Sequence, residues 1–151
     1  MQTVSHLLRQ KGNEFFWVAP TDSVRKAIEL MATHHVGALL VMTPGPSPEA
    51  PPGSLIGIIS ERDYARKVIL KNRSSHDTPV SEIMTAPALT VTLTDTVRHC
   101  MEIMTQHRFR HLPVVEETGR VIGILSIGDL VKAVIEEQTA QIEQLERYIA
   151  G

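Results

Sequence analysis

The sequence predicts an α/β fold with two pseudo-symmetric copies of a β-α-β-β-α unit and a long C-terminal helix. Three observations support this fold. Residues 21–24 (TDSV) recur as residues 94–97 (TDTV), and residues 57–63 (GIISERD) recur as residues 123–129 (GILSIGD). An apolar stripe also runs along residues 131–149. Because each small sheet covers only one face with its own helices, we expect the two copies to pack sheet to sheet.

Each copy contains an amphipathic helix that begins after a Ser or Thr residue. The apolar positions i, i+3, i+4 and i+7 are Val24, Ala27, Ile28 and Met31 in the first copy and Val97, Cys100, Met101 and Met104 in the second. This spacing places one apolar face of each helix against the core. The single cysteine, Cys100, is therefore expected to be a small buried hydrophobic residue and not a nucleophile.

The repeat extends beyond these helices. Residues 34–41 align with residues 107–114, where each copy leaves a helix and enters an apolar strand. The first copy has the longer hairpin loop, residues 43–54, which holds five of the nine prolines and is expected to be solvated. We divide the chain into residues 1–75 and 76–151, with the polar residues 72–78 linking the two halves.

Composition excludes several classes of protein. The 151 residues carry a net charge of −2, which gives no general attraction to nucleic acid or anionic membranes. We see no signal peptide and no apolar run that could span a membrane, and one cysteine excludes an intramolecular disulfide. A cytoplasmic protein is expected. The seven histidines do not form a recognisable metal motif, so we predict no metal site, and no motif predicts catalysis.

Ser60 and Asp63 in the first copy, and Ser126 and Asp129 in the second, end a strand and begin a helix. A serine followed three residues later by an acid is the pattern of a capping box, in which the two side chains bond helix-start amides. A carboxylate at a helix start is also a good acceptor for two hydroxyl groups at once. The sequence alone leaves both interpretations open.

The tandem repeat, the two glycine–apolar–apolar–Ser-x-x-Asp segments and residues 110–115 (RHLPVV) closely resemble a pair of cystathionine-β-synthase (CBS) domains, also called a Bateman module. The resemblance covers about residues 4–134. It implies that an adenosine-containing ligand (AMP, ADP, ATP, NAD or S-adenosylmethionine) binds in a cleft between the repeats and that the protein forms a homodimer. The implied function is a non-enzymatic sensor that regulates a separate partner protein. The alternative is a constitutive dimerisation or partner-binding scaffold.

The resemblance also implies roles for individual residues. Asp63 and Asp129 would accept the ribose hydroxyls, while Ser60 and Ser126 would lie near the ribose or the α-phosphate. Arg110 and His111 would contact phosphate. The remaining candidates are Arg62 and Arg108 as further cations, Val18, Val91, Leu112 and Ile124 as adenine walls or core, Pro113 in the same motif, and Gly37 and Ala38 in the first repeat. We expect Arg66 and Lys67 to lie on a solvated helix face.

The two copies differ where phosphate would bind, because Gly37 and Ala38 replace Arg110 and His111. The first repeat therefore lacks the basic pair, and we expect the site at Asp129 to be the stronger one for phosphate-bearing ligands.

The C-terminal stripe has no counterpart in the first copy. It comprises Val131, Ile135, Gln138, Ile142, Leu145 and Ile149, whose spacing alternates between four and three residues as in a coiled coil. We expect this stripe to contact another subunit. The alternative is that the helix packs back on its own domain.

Overall fold

The computed structural model describes residues 2–150. Within them, the helices and strands in chain order are α1 (Val4–Lys11), β1 (Trp17–Val18), α2 (Val24–His34), β2 (Ala38–Met42), β3 (Leu55–Ser60), α3 (Glu61–Tyr64), α4 (Val97–His107), β4 (His111–Val115), β5 (Val121–Ser126) and α5 (Ile127–Ala150). A π-helical turn (Ala65–Ile69) continues α3, and a 3-10 turn (Val80–Glu82) precedes α4. None of the helices in this range is long and apolar enough to span a bilayer. The α/β class and the long final helix are as predicted.

The chain forms two compact units that are not contiguous in sequence. One unit contains the N-terminal segment up to Asn13, Thr90–Glu117 and the chain from Ile122 onward; the other contains Glu14–Leu89 and Thr118–Val121. We call them the Asp129 unit and the Asp63 unit after the acids they contain. Helix α1 thus belongs with the second repeat. The division of the sequence repeats between residues 75 and 76 stays a prediction.

The Asp63 unit has a three-stranded sheet in the order β1-β2-β3. Strands β1 and β2 are parallel, joined by the crossover helix α2, and β2 pairs antiparallel with β3. The apolar face of α2 is buried through Val24, Ala27 and Met31, as its periodicity predicts. Strand β2 is buried at all five positions. The proline-rich loop, residues 43–54, contains no strand.

The Asp129 unit repeats this plan with a two-stranded sheet, β4-β5. A single parallel bridge between Val91 and Val114 replaces the pairing of β1 with β2. Helix α4 buries Val97, Cys100 and Met104. Burial raises the pKa of the Cys100 thiol to about 11, so at neutral pH it is a protonated, unreactive core residue. The predicted burial of Cys100 is confirmed.

Backbone hydrogen bonds confirm the predicted register of the two copies. Helices α2 and α4 both end at a residue in the left-handed conformation, His35 (φ 55°) and Arg108 (φ 59°). The residue two positions further on accepts a hydrogen bond from the first residue of α3 or α5. The Glu61 amide donates to the Gly37 carbonyl over 3.0 Å, and the Ile127 amide donates to the Arg110 carbonyl over 2.8 Å. Gly37 and Arg110 therefore occupy equivalent positions.

The short segment before each repeat is exchanged between the units. In the Asp129 unit the Val4 amide donates to the Asp95 carbonyl over 2.9 Å, and in the Asp63 unit the Val80 amide donates to the Asp22 carbonyl over 2.8 Å. The start of helix α1 thus bonds the chain before α4 in the second repeat, and the turn at Val80 makes the equivalent bond before α2 in the first repeat. This exchange determines which residues lie next to Asp129.

Candidate functional site

Asp129 lies where β5 passes into α5, and Ser126 fixes its side chain. The Ser126 amide donates to Asp129 Oδ2 over 2.7 Å, while the Asp129 amide donates to Ser126 Oγ over 3.2 Å. This reciprocal pair is the capping box predicted as one interpretation of the sequence. It holds the carboxylate at the first turn of a 24-residue helix, beside helix-start amides that favour negative charge.

Lys11 is the second partner of Asp129. Its ammonium group donates to Asp129 Oδ2 over 2.6 Å and to the Ile124 carbonyl over 2.8 Å. Both contacts of the carboxylate, from Ser126 and from Lys11, use the same oxygen. The side chains of Lys11 and Asp129 are 31% and 25% exposed, so the ion pair is partly shielded from solvent. The sequence reasoning missed Lys11.

The packing of α1 against β5 positions Lys11. Gly123 leaves room for Leu8, because a Cβ atom at position 123 would lie only 3.0 Å from Leu8 Cδ2. Thr3 caps the start of helix α1, and Gly12, whose φ of 96° favours glycine, follows its last residue. Lys11 is thus the last residue of a short helix that is anchored next to the carboxylate.

Electrostatic effects favour an ionised Asp129. Burial favours the neutral carboxyl, but the Lys11 ammonium and the Ser126 amide together outweigh it and hold the pKa of Asp129 below its ordinary value. The carboxylate is therefore charged at neutral pH and can accept hydrogen bonds.

The pKa of His111, at the start of β4, is also affected by the charges of Lys11 and Asp129. Burial is the largest influence and lowers the pKa of His111; the positive charges of Lys11 and Arg110 add to this, and the Asp129 carboxylate opposes it. His111 is consequently neutral at pH 7. It can donate or accept one hydrogen bond there, but Arg110, which is exposed, is the residue that supplies positive charge.

The other candidates of the second repeat divide into exposed and buried residues. Arg108, the exposed C-cap of α4, lies two residues before Arg110. Leu112, Pro113 and Val91 are buried within the unit and form part of its core. Burial is the alternative that the sequence reasoning gave for Val91 and Leu112.

The equivalent acid of the first repeat, Asp63, has both carboxylate oxygens engaged. Ser60 donates to Oδ2 from its amide over 3.0 Å and from its hydroxyl over 3.1 Å, and Lys67 lies 3.0 Å from Oδ1. Lys67 also donates to the Ile83 carbonyl over 2.9 Å. Lys67 is 44% exposed, as a residue on a solvated helix face should be, but its position four residues along the helix also brings its ammonium group to Asp63.

Asp63 is also less accessible than Asp129, with a side chain that is 12% exposed. Arg62, beside it on α3, is half-buried. Gly37 lines an open cavity of about 320 Å³ with Met31, His35 and Glu61, whereas Ala38 is buried in β2. No arginine of the first repeat occupies the position equivalent to Arg110.

The Asp129 unit offers little room next to its acid. The cavity beside Lys11 and Asp129, which Gln10, Lys132 and Glu136 also line, holds only about 70 Å³. Ligand sites for molecules of nucleotide size are usually about 300–1,000 Å³. Within residues 2–150, the histidine, cysteine and acidic side chains form no group of three or more that could hold a metal ion.

A profile of the CBS domain matches residues 4–70 and residues 80–136, which is most of the chain. The chain belongs to the CBS-domain family. The predicted resemblance is confirmed, and with it the fold of two CBS repeats followed by a long helix.

CBS-domain proteins with similar sequences come from several kingdoms. The mitochondrial CBS domain-containing protein CBSX3 of Arabidopsis thaliana is 41% identical over 99% of this chain and 72% of its own length. A CBS-domain protein from Burkholderia ambifaria is 46% identical, with a TM-score of 0.80 over 91% of this chain and 96% of that one. Because the plant relative is named mitochondrial, the cytoplasmic location stays a prediction.

A third CBS-domain protein, PAE2072 from Pyrobaculum aerophilum, was solved in complex with AMP. It is 28% identical to this chain, with a TM-score of 0.75 over 91% of this chain and 98% of that one.

The ion pair at Asp129 should stabilise the fold in a pH-dependent way. A carboxyl whose pKa is lowered on folding contributes stability above its ordinary pKa, near 4, and this contribution is lost as the pH falls through the folded-state value. Lys11→Met should therefore lower the free energy of unfolding by about 1 kcal/mol at pH 7, and by progressively less as the pH falls further below about 4.

Urea unfolding of both proteins at a series of pH values measures this difference. Lys71→Met, which removes the same charge from an exposed lysine, is the control and should change stability little at any pH. A loss for Lys11→Met that stays constant down to the most acidic pH of the series would attribute the effect to packing of the side chain instead of its charge.

Proposed function

We propose that this protein is a non-enzymatic sensor that binds an adenine nucleotide through its CBS repeats and, as a homodimer, regulates a separate partner protein. The observation that supports it most is the placement of Asp129. Its carboxylate is ionised, Ser126 holds it at a helix start, and the Lys11 ammonium contacts it at Oδ2. The complex of a CBS-domain relative with AMP supports the choice of ligand class.

A ribose presents two neighbouring hydroxyls, and a fixed carboxylate can accept a hydrogen bond from each. Binding at Asp129 would replace the contact that Lys11 now makes. The released ammonium would then lie close to an anionic ligand and could contact its phosphate. Lys11 would thus exchange one anionic partner for another, and its charge would stay compensated.

The two acids should bind ligand unequally. Asp63 is the less exposed of the two, and Ser60 and Lys67 contact both of its oxygens. The first repeat also has Gly37 where the second has Arg110. These differences support one stronger site, at Asp129, with the first-repeat candidates Ser60, Asp63, Arg62, Gly37 and Ala38 forming a weaker one.

Ligand could regulate a partner only by binding two arrangements of the repeats with different affinity. The rival proposal is a scaffold that dimerises or binds a partner without a functional ligand. The candidate ligands are AMP, ADP, ATP, NAD and S-adenosylmethionine. One panel of these ligands shows which of them the protein prefers.

A ligand at one hundred times its Kd adds about 2.7 kcal/mol of stability, which corresponds to roughly 5–10 °C in Tm for a chain of this size. We expect this increase with at least one adenine nucleotide of the panel and none with inorganic phosphate alone. Asp129→Asn should abolish most of the increase, because a neutral amide is a poor partner for two hydroxyls but can still accept from the Ser126 amide.

Asp63→Asn is the matched control, since it makes the same change at the equivalent position of the first repeat and should preserve most of the increase. Flat melting curves with every nucleotide would overturn the sensor and favour the scaffold. A normal increase in Asp129→Asn would instead show that the ligand binds elsewhere.

Arg110 should distinguish ligands that carry phosphate from those that do not. A charge-assisted hydrogen bond contributes about 1.5–3 kcal/mol, or about ten- to a hundredfold in affinity. Arg110→Ala should lose this much affinity for AMP and little for adenosine. Titration calorimetry measures both ligands and should find about one strong site for each chain.

Arg98→Ala, which removes an exposed arginine of α4 in the same unit, controls for the change in net charge. Equal losses for AMP and adenosine in Arg110→Ala would mean that another residue contacts the phosphate. Two equally strong sites would contradict the inferred difference between the repeats.

A further inference from the structure

The outer half of α5 is exposed on every side within this chain. All residues from 138 to 150 are exposed, and five apolar residues of the C-terminal stripe, Val131, Ile135, Ile142, Leu145 and Ile149, are between 42% and 82% exposed. A helix of this length without tertiary contacts is only marginally stable in water. An apolar stripe of this size on a surface marks an interaction site.

We propose that α5 pairs with α5 of a second copy of this chain in antiparallel orientation, centred near Ala140. This specifies the subunit contact of the proposed homodimer and does not depend on nucleotide binding. The stripe extends for about 27 Å along the helix, and its alternating steps of four and three residues suit two helices that pack as a short coiled coil. A second copy supplies the same stripe.

Charges beside the stripe favour this orientation. In an antiparallel pair, Gln138 lies opposite Ile142 of the second copy, and Val131 lies opposite its Ile149. Lys132 and Glu146 flank the stripe on the same side, and they meet across the pair twice, once near each end. Opposite charges at such flanking positions set the orientation of paired helices.

A parallel pair lacks this complementarity. Its facing flanking residues would be Gln141 with Glu146, and Val134 with Thr139, so no opposite charges would meet. The antiparallel pair instead places Val134 opposite Tyr148 of the second copy, which adds apolar contact. It also brings the second copy's Glu146 near Lys132, a residue that lines the cavity beside Lys11 and Asp129.

Charge reversal tests the orientation without altering the stripe. Lys132→Glu or Glu146→Lys alone places like charges opposite each other at both ends of the pair, and each should weaken the dimer roughly tenfold in sedimentation equilibrium. The double variant restores opposite charges and should recover the wild-type affinity. Failure of the double variant to recover affinity would overturn the antiparallel register.

Cysteine cross-linking gives a second, independent measurement. Gln138→Cys and Ile142→Cys are purified separately and oxidised alone and as an equimolar mixture. The antiparallel pair predicts a cross-linked dimer only in the mixture, with one chain of each kind by mass spectrometry. The wild type should not cross-link, because Cys100 is buried.

Cross-linking of each variant alone would indicate a parallel pair and contradict the proposal. If neither the single variants nor the mixture cross-links, α5 does not pair with itself, and the stripe binds a different partner. Cross-linking needs no added nucleotide, so its result is separate from that of the melting experiments.

Discussion

The packing of α1 against β5 is the contact on which the candidate site depends. Gly123 has no side chain, so Leu8 can approach the strand closely, and Lys11 at the end of α1 then reaches Asp129. Without this contact the carboxylate would lose the Lys11 ammonium and keep its capping interaction with Ser126. The exchange of the N-terminal segment therefore places Lys11, which comes from the start of the chain, beside the acid of the second repeat.

The two repeats pair the charge of their junction acid with a lysine in different ways. Each has an acid at a strand-to-helix junction, and each acid has a lysine partner whose ammonium also bonds a backbone carbonyl. In the first repeat the lysine is Lys67, one turn along the same helix, and it contacts the second carboxylate oxygen. In the second repeat the lysine belongs to a separate helix and shares an oxygen with the Ser126 amide. Under the proposed function, a ligand would displace Lys11 with less rearrangement of the helix that carries the acid than displacing Lys67 would need.

Much of the fold could be predicted from the sequence because the same sequence pattern occurs in both repeats. Helix starts at Ser23 and Thr96, and the equivalence of Gly37 with Arg110, follow from local spacing and recur in the structure. Lys11 could not be predicted this way, since it lies 118 residues from Asp129 and the pairing depends on the exchanged segment.

The central claim is that Asp129 receives the ribose of an adenine nucleotide. A crystal structure of the protein grown with AMP tests it most directly. The account predicts both ribose hydroxyls within hydrogen-bonding distance of the Asp129 carboxylate, with the Lys11 ammonium moved from Oδ2 towards the phosphate. AMP bound elsewhere, with the contact between Lys11 and Asp129 unchanged at 2.6 Å, would contradict the account.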